Sequence, residues 1–143
     1  MRLSDYTRKL LELARTVHHL IGALNALDPT RRNRVARYAE DIAETLLRAS
    51  EAMGRLEIDP SDRFAARAVA REFGRIAGYV ETLVGVLSQH LDGRKLAGVK
   101  RRLDELDPAA PNDVLEPAGR RVHIQRLVAA EGYFRALSDA LRV

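Results

Sequence analysis

Apolar residues return in alternating steps of four and three along most of this chain, and no other feature restricts its fold as tightly. The first run is Tyr6, Leu10, Leu13, Val17, Leu20, Leu24 and Leu27, and the second is Val35, Ala39, Ile42, Leu46, Ala49, Met53 and Leu56. A third passes through Ala66, Val69, Phe73, Ile76, Val80, Leu83 and Leu87, and places His90 at its next position. This spacing gathers the apolar side chains on one stripe of an α-helix, and the stripe must be buried against other helices. A sparser stripe (Leu127, Ala130, Phe134, Leu137, Leu141) and a short one (Leu96, Val99, Leu103, Leu106) complete the set. The expectation is an all-α chain: an antiparallel helical bundle of four long helices plus one short helix. The helices fall at about 5–27, 29–57, 61–91, 94–106 and 117–142, in a single domain over 1–143.

Punctuation supports these limits. Leu27-Asp28-Pro29-Thr30 and Ile58-Asp59-Pro60-Ser61 each set a capping carboxylate just before a Pro suited to a first helical turn. Short connections of this kind make consecutive helices antiparallel neighbours. Asp92-Gly93 reads as a helix stop, and the stretch 106–113, with Pro108 and Pro111, reads as the one clear loop, expected to be the most mobile segment.

The chain carries 24 Lys and Arg against 20 Asp and Glu, a net charge of +4, and all but Lys9, Lys95 and Lys100 of its basic residues are Arg. Arg is a planar, bidentate donor to phosphate and carboxylate; GC-rich coding inflates Arg as well. With no Cys, disulfides, thiolate metal sites and thiol nucleophiles are excluded. No signal-peptide pattern opens the sequence and no window approaches about 20 apolar residues, so a cytoplasmic location and no membrane partner are expected.

The most unusual local feature is Arg63, Arg67, Arg71 and Arg75, spaced by four along the third helix. Like charges at that spacing destabilise an isolated helix by roughly 0.2–0.5 kcal/mol per pair. Arg31, Arg32, Arg34 and Arg37 make a second cluster, and Arg94, Lys95, Lys100, Arg101 and Arg102 a third. One reading is a surface that tracks nucleic-acid phosphates and gains affinity by counterion release. The other is a solvated face balanced by Glu44, Glu51 and Glu57 on the antiparallel second helix. No exposed aromatic is expected among these Arg, so base stacking is not indicated.

The third helix also holds Ala70, Gly74, Ala77, Gly78 and Gly85, and each helix-interior Gly costs about 1 kcal/mol relative to Ala. Close approach of a neighbouring helix, in the chain or across an oligomer, is one reason for Ala70, Gly74, Gly78 and Gly85; room for a ligand is another. His18 and His19 lie off their seam, whereas His90 and His123 lie on or near theirs, where two buried histidines are expected rather than two metal ligands. No HxxxH, ExxH or HxxE pair occurs, and no metal or cofactor is expected.

His18-His19-Leu20-Ile21-Gly22-Ala23 resembles the H-x-L-K-G-A stretch of histidine phosphotransfer domains, which are helical bundles, with Ile21 where that family has Lys. The resemblance implies His18 as phosphoryl acceptor and Gly22 as the point of partner approach. Other enzyme signatures are missing: there is no GxxxxGK loop, GxGxxG or GxSxG elbow. Carboxylates are expected to be scattered on outer faces, which disfavours acid or base catalysis. The expected function is a non-catalytic binding or assembly subunit touching nucleic acid through its Arg-rich faces, with a protein partner or homo-oligomer as the alternative.

Overall fold

Every regular element of the computed structural model, which describes residues 2–91, 93–106, 111 and 113–142, is an α-helix. Residues 107–110 and 112 of the expected loop, Asp92 of the expected helix stop, and the Lys95 side chain lie outside the described residues. The helices are α1 (Leu3–His18), α2 (Ile21–Asn25), α3 (Pro29–Ile58), α4 (Arg63–His90), α5 (Gly93–Glu105) and α6 (Arg120–Leu141). All seven residues of the second stripe and all five of the fourth are buried, as are Val69 to Leu87 of the third.

Local chemistry sets the limits. The Asp28 side chain accepts from the Arg31 backbone N–H at 3.2 Å, with Pro29 in the first turn of α3. The second junction works differently from the first. Asp59 accepts from the N–H and the hydroxyl of Ser61 (3.1 and 2.6 Å), holding its carboxyl below the usual range, and Asp62 caps α4 through the Ala65 N–H at 3.0 Å. The single helix expected over 5–27 is broken at His19 and Leu20. There the Leu20 N–H turns back to the Val17 carbonyl at 3.0 Å, a tighter three-residue bond. Two adjacent His followed by Gly22 give this stretch little helix propensity.

The helices close into a ring in the order α3, α4, α5, α1, α6. α3 and α4 are an antiparallel hairpin, with Arg48 opposite Glu72. α6 is antiparallel to α3: Arg120 donates to the Leu56 carbonyl at one end (3.0 Å) and the Ser138 hydroxyl to the Ala36 carbonyl at the other (2.8 Å). α1 runs parallel to α6, since Arg126 reaches the Ser4 carbonyl (2.8 Å) and the His18 ring stands edge-on to Tyr133 (5.4 Å). α5 lies antiparallel to α1 through Arg102 to Glu12 (3.1 Å) and Lys9 to the Glu105 carbonyl (3.5 Å).

Of the consecutive helices expected to be neighbours, α3 packs on α4, while α1 packs on α6 and α5 instead of α3. α3 sits between α4 and α6, which is why Ala36, Ala43, Thr45, Ser50 and Ala52 are buried beyond its stripe. The Asp113 carboxylate caps α1 by accepting from the Leu3 N–H at 2.7 Å.

Candidate functional site

The four Arg of α4 all face solvent, but what balances them is not what their spacing predicts. Glu44 lies 4.0 Å from Arg48, Glu57 lies 3.9 Å from Arg121, and Glu51 makes no ion pair among the described residues. The counter-ion is Glu72, on α4 itself and only 2% exposed. Its carboxylate oxygens lie 3.3 Å from Arg48, 3.5 Å from Arg71 and 3.6 Å from Arg75. Three guanidinium groups on one carboxylate leave a surplus of positive charge. Arg63 and Arg67 have no acidic partner among the described residues.

A further difference lies between Arg63 and Arg67. The sequence leads to no exposed aromatic here, yet Phe64 is 81% exposed, with Ile58 across the α3–α4 turn at 88%. Leu115 and Val122 are exposed at the same end of the bundle, because Arg120 ties the Leu56 and Leu115 carbonyls together (3.0 and 2.9 Å). Steps of three, four and four put Phe64, Arg67, Arg71 and Arg75 along one strip of α4.

The other basic clusters do not join this strip. α3 has 30 residues, about 45 Å of helix at 1.5 Å per residue, and its N-terminal cluster occupies the far end from the hairpin turn. Arg31 pairs with Asp28 at 3.8 Å and Arg32 donates to the Asn25 carbonyl at 3.3 Å, while Arg34 and Arg37 are exposed. On α5, Lys100 and Arg101 are exposed, and Arg102 is engaged by Glu12 and Glu105 (3.1 and 3.4 Å).

Ala70, Gly74, Gly78 and Gly85 are exposed, and a Cβ added at any of the three glycines would meet nothing within 4 Å. Among the described residues no neighbouring helix approaches closely at these three glycines. His123 is buried near Asp113 and Arg126, and burial first, then the Arg126 charge, lowers its pKa. His90 is half-buried at the opposite end of α4 from the turn, so the two histidines do not meet. His18 ends α1 and Gly22 lies in α2, so the outward His with Gly one turn on along the same helix is not formed. Among the described residues no group of His, Asp and Glu is arranged to hold a metal ion, and no helix is long and apolar enough to cross a membrane.

One cleft, of about 310 Å³, opens between α1, α4 and α5 beside Tyr6, Gly78, Leu103 and Leu106. Burial alone pushes the Tyr6 hydroxyl up to about 12. Between pH 10 and 12 the unfolded chain therefore releases a proton that the folded chain keeps, and stability falls as pH rises. Alkaline unfolding followed by circular dichroism is expected to show a loss of about 3 kcal/mol across that window at 1.36 kcal/mol per pH unit, absent in Tyr6→Phe. An identical alkaline profile for the two proteins would contradict this account.

The chain matches no family model, no curated protein and no solved structure.

Proposed function

We propose that the chain is a non-catalytic helical binding subunit that engages single-stranded nucleic acid on the outer face of α4. The observation that supports this reading is the pair Arg63 and Arg67, free of acidic partners among the described residues, flanking in sequence a solvent-facing Phe64. Guanidinium groups neutralise phosphates and release counterions, and an exposed ring supplies a stacking platform indifferent to base identity. Arg71 and Arg75, which share the Glu72 carboxylate, extend the strip. Exposed small residues beside it let a backbone approach closely.

The test is fluorescence anisotropy with a labelled oligothymidylate at rising salt. Each Arg that meets a phosphate contributes about 0.7 to the slope of log affinity against log salt on a single strand. The Arg67→Gln, Arg71→Gln double variant is expected to flatten that slope by about 1.4. Phe64→Ala is expected to cost about 1–3 kcal/mol of single-strand affinity and much less on a duplex of the same length. Absence of binding at about 50 mM salt, or an unchanged slope in the double variant, removes the reading.

The alternative is a self-assembling bundle, favoured by the open positions at Gly74, Gly78 and Gly85, which no helix of the chain fills. A monomeric mass at high protein concentration would remove it.

A further inference from the structure

The cleft between α1, α4 and α5 has a composition that a packing fault at the end of α5 does not explain. Its walls are apolar, from Ala77, Val80, Leu103 and Leu106, and its volume of about 310 Å³ is at the lower end of the range for small-molecule sites. Tyr6, 3% exposed, lines it, and the Tyr6 hydroxyl has no hydrogen-bond partner among the described residues. The hydroxyl is not one of the fully enclosed polar atoms that lack a partner, so it opens on the cleft, where a polar group of a ligand can meet it as donor or acceptor. Glu81 and Asp104 stand at the exposed edge, and neither makes an ion pair among the described residues. Two unpaired carboxylates converging on one apolar hollow run against the net charge of +4.

We propose that this cleft binds a small amphipathic cation, an apolar body carrying one protonated amine. The body lies against Val80, Leu103 and Leu106, the amine faces Glu81 and Asp104, and the Tyr6 hydroxyl meets a polar atom of the ligand. Gly78 lines the entrance, and a Cβ there meets nothing within 4 Å, so a larger side chain can be introduced at the cleft without a clash. The site shares Gly78 with the small-residue face of α4 but none of the Arg residues, and it does not depend on the nucleic-acid reading.

A matched pair of fluorescent probes tests it on the full chain. Dansylcadaverine presents an amine and dansylglycine a carboxylate on the same ring system. Emission titrations are expected to show the amine binding at least tenfold more tightly, although the overall charge of the protein favours the anion. The Glu81→Gln, Asp104→Asn double variant should lose about that tenfold for the amine and leave the carboxylate probe unchanged. Gly78→Leu should abolish binding, with circular dichroism confirming the fold and the charge variant serving independently if it does not fold. Tyr6→Phe should weaken the amine probe about fivefold with no loss of melting temperature at pH 7, which separates a ligand contact from a structural one. Equal affinity for the two probes, or an unchanged titration in folded Gly78→Leu, would overturn the proposal.

Discussion

Arg120→Met is expected to cost about 3 kcal/mol of stability, since each hydrogen bond from a charged donor is worth roughly 1.5–3 kcal/mol. Arg120 is 4% exposed and donates to the carbonyls of Leu56 and Leu115 at 3.0 and 2.9 Å. The Leu56 carbonyl falls in the last turn of α3, where the helical partner four residues on is Pro60, which has no N–H to give. Arg120 supplies the missing donor from another helix. Met keeps most of the volume, so the variant isolates the polar loss. Thermal unfolding should show a fall in Tm of roughly 10 °C, on the scale of 2–4 °C per kcal/mol for a chain of this size. Arg121→Met, next door but on the surface and 3.9 Å from Glu57, should change Tm hardly at all. Equal shifts in the two variants would show that the buried bonds contribute nothing.

Removing Glu72 should move stability and binding in opposite directions. Glu72→Ala empties a buried position and takes from Arg48, Arg71 and Arg75 the one countercharge they share among the described residues. Full loss of one partner from a buried pair costs about 3–5 kcal/mol. These Arg are near the surface and can turn to water, so about 2 kcal/mol is expected here. Glu72→Gln, which keeps the volume, should recover roughly half of it. At the same time the released guanidinium groups become free to meet phosphate. Oligothymidylate affinity at low salt should rise about tenfold, and the salt slope should steepen by about 0.7 for each further phosphate neutralised. Weaker binding in Glu72→Gln would mean that Glu72 positions the Arg rather than competing for them.

Glu72 also shows where sequence reasoning stops. The stripes name nearly the whole core because helical periodicity is local: Val35 to Leu56 and Leu127 to Leu141 need only their own spacing to be recognised. Glu72 lies one step off the stripe beside Phe73, and its burial depends on Arg48 arriving from α3. The signal in the sequence is the carboxylate set among Arg71 and Arg75, at spacings that allow pairing on one helix. Phe64 escapes for the opposite reason. An aromatic in the first turn of a helix is normally read as core, yet Phe64, the second residue of α4, is exposed at the hairpin end together with Ile58. The break at His19 and Leu20 is hidden by a seam that continues unbroken in sequence through Leu20, Leu24 and Leu27. Seams record which residues are apolar; they do not record whether the backbone between them stays wound.

The parallel pairing of α1 with α6 has a consequence for the order in which the structure can assemble. α3 and α4 meet across the few residues between Ile58 and Arg63, so their contact closes almost no loop. The bond from Arg126 to Ser4 joins residues 122 apart in sequence, and closing a loop of that length costs about 4 kcal/mol of chain entropy on the (3/2)RT ln n scale. That cost is met only when both faces of α1 are covered, by α5 on one side and α6 on the other. The α3–α4 hairpin that carries the Arg strip therefore closes on contacts near in sequence, whereas burial of α1 depends on helices far from it in sequence.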